Sequence, residues 1–156
     1  MRSSHEPTTF ENYLTIHERY LRNFEHFIVR NTLAYRVTST LVYWRGALYC
    51  ADGFELHVYK SQLLDRGVVP PTVETVRYRY QALRRNASGE AISLFRYDNV
   101  HQQPGHADNH HRHTFDAAGN EIEPPGHTGR AGWPTFSQVI EELYGLWEQW
   151  KASHRP

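Results

Sequence analysis

One cysteine, Cys50, is present in the chain, so no internal disulfide can form. Nothing in its cysteine usage points to an oxidising compartment. An excess of either charge is also missing, because Lys+Arg and Asp+Glu each number 17. A sequence-independent nucleic-acid binder normally carries a global basic excess, so only a local basic patch is left to consider. No run approaches the roughly 18 apolar residues of a membrane span. Met1-Arg2-Ser3-Ser4-His5-Glu6-Pro7 holds no apolar signal region, and the expectation is a cytoplasmic protein without membrane contact. The sequence also lacks a phosphate-binding glycine loop, a nucleophile elbow, a paired-carboxylate motif and any internal repeat.

What is there describes a folded chain. Its 156 residues fit one domain, and a chain of this length buries roughly 68–70% of its unfolded surface. Hydrophobic residues make up 39% and charged residues 22%, which separates it from disordered sequences. Aromatic residues at 13% give a small core much area per side chain. Eleven histidines would add positive charge below about pH 6.5. Neutrality near pH 7 favours association, so a partner or a homo-oligomer is expected.

The pattern along the chain predicts an α+β fold in a single domain, residues 1–156. Thr8 to Glu11 reads as a capping box. Phe10, Leu14, His17, Leu21, Phe24 and Ile28 repeat at helical spacing, which predicts a helix over residues 9–30 with His17 buried on its apolar stripe. Residues 35–98 then predict a four-stranded antiparallel meander. Val37 to Trp44 is β-branched and aromatic, Gly46 marks a bulge or bend, and Asp52-Gly53 is a tight-turn signal. In the returning strand Phe54, Leu56 and Val58 share one face, and Glu55, His57 and Tyr59 the other. In the third strand Val76, Tyr78, Tyr80 and Ala82 alternate with Arg77, Arg79 and Gln81. Ala91 to Asp98 is the fourth. Residues 99–133 show no usable periodicity and predict a long His-rich loop, of the kind that is usually functional. A capping box from Thr135 to Gln138 opens a C-terminal helix over residues 135–151. Both helices are expected on one face of the sheet.

The candidate site is the stretch from Arg96 to His113. His101, His106, His110, His111 and His113 place five of the eleven histidines within 13 residues. Strand alternation puts Arg96 and Asp98 on one face, which Arg77 and Arg79 share if the register allows. Three readings fit this pattern. Two histidines could transfer protons in RNA cleavage, one taking the 2′-hydroxyl proton and one protonating the leaving oxygen, with Arg stabilising the phosphorane. His101, His106, His110, His111, His113 and Asp98 could instead hold a divalent metal, although the spacing matches no standard zinc signature. The loop could also be a solvated segment with incidental histidines. His57 is a weaker candidate, and Trp147 and Trp150 read as core or partner-facing.

Tyr78-Arg79-Tyr80-Gln81, Phe95-Arg96-Tyr97-Asp98-Asn99 and His110-His111-Arg112-His113 together resemble the TumE-type toxins of bacterial type II toxin–antitoxin systems. That family typically shows a Tyr-His-Tyr/Phe-Gln strand, an Arg-Tyr-Asp-Asn strand end and a His-His-Lys-His-like element before a C-terminal helix. The resemblance runs from Leu48 to Leu146. Arg79 stands where many relatives have His, the loop after His113 is long, and the N-terminal helix to Arg30 reads as an addition. The resemblance implies a growth-poisoning toxin with a cognate antitoxin partner. Combined with the residue chemistry, it yields an endoribonuclease acting on RNA with no cofactor. His110 and His113 are the expected acid–base pair, Asp98 and Arg96 complete the catalytic group, and Arg77, Arg79, His101, His111 and Arg112 bind substrate. The alternatives are a non-enzymatic module binding nucleic acid or protein, and a nuclease with a divalent metal at the His cluster.

Overall fold

Long stretches of alternating polar and apolar residues pair into a single antiparallel sheet that is much larger than a meander. The computed structural model describes residues 5–101, 105–106 and 108–155. Residues 1–4, from the N-terminal stretch without an apolar signal region, 102–104 and 107, from the expected loop, and Pro156 lie outside them. The elements in order are β1 (Thr8–Thr9), α1 (Phe10–Asn23), β2 (Ile28–Asn31), β3 (Ala34–Val37), β4 (Leu41–Cys50), a 3-10 turn (Ala51–Gly53), β5 (Phe54–Asp65), β6 (Thr72–Arg85), β7 (Ala91–Asp98), β8 (His111–Phe115), β9 (Glu121–His127), α2 (Gly129–Gly132) and α3 (Phe136–His154).

The expected four-stranded meander is therefore corrected to nine described strands in one sheet, within an α+β architecture. The main path runs β2-β4-β5-β6-β7-β8-β9, with β1 paired to β6 and β3 to β4. The expected structureless loop over residues 99–133 holds β8, β9 and α2. Its strands escape a periodicity search for two reasons. The buried positions of β8 are His111 and His113 rather than apolar residues, and β9 is an exposed edge strand containing Pro124 and Pro125. Proline is tolerated on an edge, where its missing N–H breaks no ladder. The turn between them is closed by Asp116, whose Oδ1 accepts from the backbone N–H groups of Ala118 and Asn120, both at 2.9 Å.

The N-terminal helix is also shorter than its periodicity suggests. It is capped by Thr9, whose hydroxyl accepts from Asn12 N–H at 3.1 Å, and it ends at Asn23. Phe24 and Ile28 still reach the core, through a turn and through β2. β2 and β3 lie end to end along β4, pairing with Leu48–Cys50 and Val42–Arg45 respectively. The break between them faces Gly46. A Cβ there would sit 2.4 Å from the Thr32 carbonyl oxygen, and φ is 143°, so only glycine fits.

One face of the sheet carries the core. Leu48, Leu56, Val58, Tyr78, Tyr80, Ala82 and Phe95 pack with Phe136, Val139, Ile140, Leu143 and Trp147 of α3. A second cluster of Val42, Trp44, Leu64 and Val73 packs with Phe10, Tyr13 and Leu14 around α1. The capping box at Thr135 and Gln138 is formed. Asp52 at the 3-10 turn accepts from Trp147 Nε1 at 2.8 Å, fastening α3 to the β4–β5 hairpin. With both long helices on one side, the other side of the sheet is free to carry polar side chains.

Candidate active site on the open sheet face

Opposed residues of paired strands project to the same face, so the register assigns the polar residues directly. One row crosses six strands from β4 to β9: Arg45, Tyr59, Arg79, Asp98, His111 and His127. The next row runs Ala47, His57, Gln81, Arg96 and His113. Arg77 and Arg79 are exposed. The rows meet at Asp98, which is 1% exposed. Arg96 Nε donates to its Oδ2 at 3.1 Å, and His113 Nε2 lies 3.3 Å from the same oxygen. Arg96 Nη2 lies 3.0 and 3.2 Å from the two ring nitrogens of His113. The Nδ1 of His113 contacts the carboxylate of Glu121 from β9. A charge taken out of water must be paired to be tolerated, and the buried Asp98 carboxylate has the Arg96 guanidinium against it.

His111, in the adjacent row, is 1% exposed. Its Nδ1 donates to the Asn109 carbonyl at 2.8 Å, and its Nε2 meets Nδ1 of the exposed His106 at 3.0 Å. The His127 ring stands 4.3 Å from that of His106, and its Nε2 donates to Asp108 at 2.9 Å. Among the described residues, no group of three His, Cys, Asp or Glu has metal-holding geometry. Over the β4–β6 part of these rows lies a hollow of about 400 Å³ lined by Arg45, Tyr49, His57, Tyr59, Arg79 and Gln81.

Not every expected residue joins this face. His110 precedes His111 and turns to the helix side, where its Nδ1 meets the Tyr78 hydroxyl at 2.9 Å and its ring lies 4.7 Å from Trp133. Burial lowers the pKa of His110, with Asp108 opposing the shift, and burial raises that of Tyr78. The phenol and the imidazole share this hydrogen bond between two buried groups. His110 and His113 thus lie on opposite sides of the sheet. Arg112 also faces the helices, where Nε donates to Tyr97 Oη at 2.9 Å and Nη2 pairs with Glu142 of α3. Arg77 borders a separate groove with Asn99, Asp108 and His110. His101 is exposed beyond the end of β7.

The sequence reading missed Glu121, His127, Gln81, Tyr59 and Arg45. The first two sit on a strand whose prolines hide it. Tyr59 and Gln81 alternate in phase with His57 and Arg79 on their own strands, whereas Arg45 on β4 joins the row only through its pairing with Tyr59.

A family model described as Toxin TumE matches residues 17–149. The chain belongs to the TumE toxin family. No curated protein and no solved structure matches it. The TumE match begins inside α1, so the β2–β3 edge falls within the family region. The expected N-terminal addition up to Arg30 shrinks to the residues before His17. In this TumE protein, the Arg96-Tyr97-Asp98 and His111-Arg112-His113 segments are neighbouring paired strands. Arg79 stands in register with Asp98. No helix among the described residues is long and apolar enough to cross a membrane.

Proposed function

We propose that this TumE-family toxin is an endoribonuclease that works by imidazole acid–base chemistry without a cofactor. The observation that carries the reading is His113, held against Asp98 with Arg96 beside its ring. A carboxylate orients the imidazole, and a guanidinium next to it supplies charge for a pentacoordinate phosphorane. His111 and His113 replace His110 and His113 as the proton-transfer pair. Two positions apart on one strand, they project from the same face with Cα atoms about 7 Å apart, a separation suited to flanking one phosphate. One imidazole removes the 2′-hydroxyl proton as that oxygen attacks phosphorus. The other protonates the departing 5′-oxygen, leaving a 2′,3′-cyclic phosphate. His106 links His111 to solvent. Arg79, Arg77 and His101 are exposed to take flanking phosphates, and Tyr49 and Tyr59 in the hollow offer rings for an unpaired base. Family membership implies an antitoxin that neutralises the toxin.

The test incubates purified protein with RNA in the presence of chelator. Cleavage that persists with chelator and is abolished in His113→Ala supports the reading. Growth arrest without cleavage under any metal condition overturns it. A second reading rests on burial, since His111 and His113 are 1% and 5% exposed. In that reading the cluster is a polar brace for the β7–β8–β9 edge, and the face binds nucleic acid or protein without chemistry. RNA that is bound but left intact, with binding lost in Arg79→Ala, would favour it.

A further inference from the structure

The helix side of the sheet holds a further cavity, on the opposite side from the Asp98 cluster. It encloses about 350 Å³ between the N-terminal segment, α1, β5, β6 and the start of α3, the size range of small-ligand sites. Two of its lining residues are unusual in so apolar a setting. Lys60 is 2% exposed. Its ammonium contacts the Tyr13 hydroxyl and lies 4.6, 5.4 and 5.3 Å from the ring centroids of Tyr13, Trp44 and Phe136. Burial pushes its pKa down to about 7, with no carboxylate opposing the shift. Glu6 lines the rim and is exposed.

The other is His17, the one buried residue of α1. It is 9% exposed, stacks on Phe136 at 4.9 Å and lies 4.7 Å from Trp44. Its Nδ1 has no hydrogen-bond partner among the described residues. A buried polar atom without a partner bears its full desolvation cost. A phenylalanine would fill the same place on the stripe without that cost.

We propose that this cavity binds a hydroxylated aromatic carboxylate. The carboxylate would pair with the Lys60 ammonium, the ring would lie against Tyr13 and Phe136, and the hydroxyl would meet His17 Nδ1. Each element answers something the cavity lacks. Lys60 has no counter-ion among the described residues and is desolvated, where an ion pair is strong. His17 has an empty hydrogen-bonding position, and a hydroxyl can either donate or accept there. The walls are aromatic faces that accept a flat ring. A bound acid touches α1, β5 and α3 at once, so it clamps the N-terminal helix to the sheet. This inference does not rest on RNA cleavage.

The experiment titrates 4-hydroxybenzoate and benzoate into the full-length protein at pH 6.5, by calorimetry and by thermal shift. Saturable 4-hydroxybenzoate binding with a rise in Tm is expected, since a ligand of the folded state stabilises it. Lys60→Met should weaken binding at least about tenfold. His17→Phe should weaken 4-hydroxybenzoate and leave benzoate almost unchanged. Circular dichroism verifies that both variants remain folded, and the native titration needs neither. No saturable binding of either acid by the native protein up to about 10 mM overturns the proposal. So does undiminished binding in a folded Lys60→Met variant.

Discussion

His113 Nε2 lies 3.3 Å from Oδ2 of Asp98, and the two side chains are 6% and 1% exposed. Arg96 reaches the same carboxylate oxygen at 3.1 Å. Removing the Asp98 charge leaves the Arg96 guanidinium without its buried carboxylate partner. Asp98→Asn is expected to cost about 3 kcal/mol, read from the urea midpoint at constant m-value. A loss below about 1 kcal/mol would show that the cluster is not coupled to folding.

The opposite placement of His110 and His113 separates their roles. His113→Ala should reduce RNA cleavage by about 100-fold or more. His110→Phe should leave cleavage almost intact and change thermal stability, because His110 packs on Tyr78 and Trp133. Initial rates on a single-stranded RNA, with Tm measured alongside, decide the matter. Equal loss of activity in both variants would return His110 to the catalytic group.

Lys60 and His17 make stability depend on pH at both ends. The folded pKa of Lys60 is depressed by burial from 10.5 to about 7. Between those values the unfolded chain binds the extra proton, so stability rises as pH increases from about 7 to 10.5. His17 is depressed by burial from 6.5 to about 4. By the same sign, its contribution is complete above pH 6.5 and is lost as pH falls towards 4. The other titratable groups lining their cavity are Tyr13, Tyr20, Tyr80, His5 and Glu6. Lys60→Met should flatten the alkaline rise, and His17→Phe the acid fall, in denaturation midpoints measured across pH.

Arg112 and Glu142 join β8 to α3, and Tyr97 Oη completes the set by donating to Glu142 at 2.8 Å. The side chains are 33% and 29% exposed, so the coupling is moderate. A double-mutant cycle with Arg112→Ala and Glu142→Ala should give about 1 kcal/mol. RNA cleavage should not change in either single variant, because Arg112 faces the helices.

Gly46 has no permitted replacement. Gly46→Ala forces φ 143° on an L side chain and drives Cβ into the Thr32 carbonyl. A loss of about 2 kcal/mol or more is expected in thermal or urea unfolding. Gly145→Ala is the control, since its Cβ meets nothing within 4 Å.

Much of the sheet's centre could be read from local pattern. Phe54–Val58 and Tyr78–Ala82 alternate because one face of each strand meets helices and the other meets polar neighbours, while Val76 is exposed where the β5–β6 register shifts. Asp52 and Gly53 both adopt positive φ, which the Asp-Gly pair accepts at low cost. The clustering of Arg96, Asp98 and the histidines was visible for a related reason, since the identity and order of polar residues survive without coordinates. The strands β2, β3, β8 and β9 were not visible. Their buried positions are few or polar, so hydrophobic period carries no signal there, and pairing with β4 and β7 decides their structure.

The sequence by itself determined the α+β composition, the capped C-terminal helix, the hairpin turn at Asp52-Gly53 and the family to which the chain belongs. Each of these depends on contacts within a few residues or on residue identity alone. Tertiary structure alone decided that His110 leaves the open face while His111 and His113 stay on it. Only the fold brings Glu121 to His113, and only the fold seals Lys60 and His17 into one cavity. The physical reason is register: a shift of one residue in a strand exchanges its two faces. The register of β8 is fixed by hydrogen bonds to β7 and β9 rather than by any pattern in its own five residues.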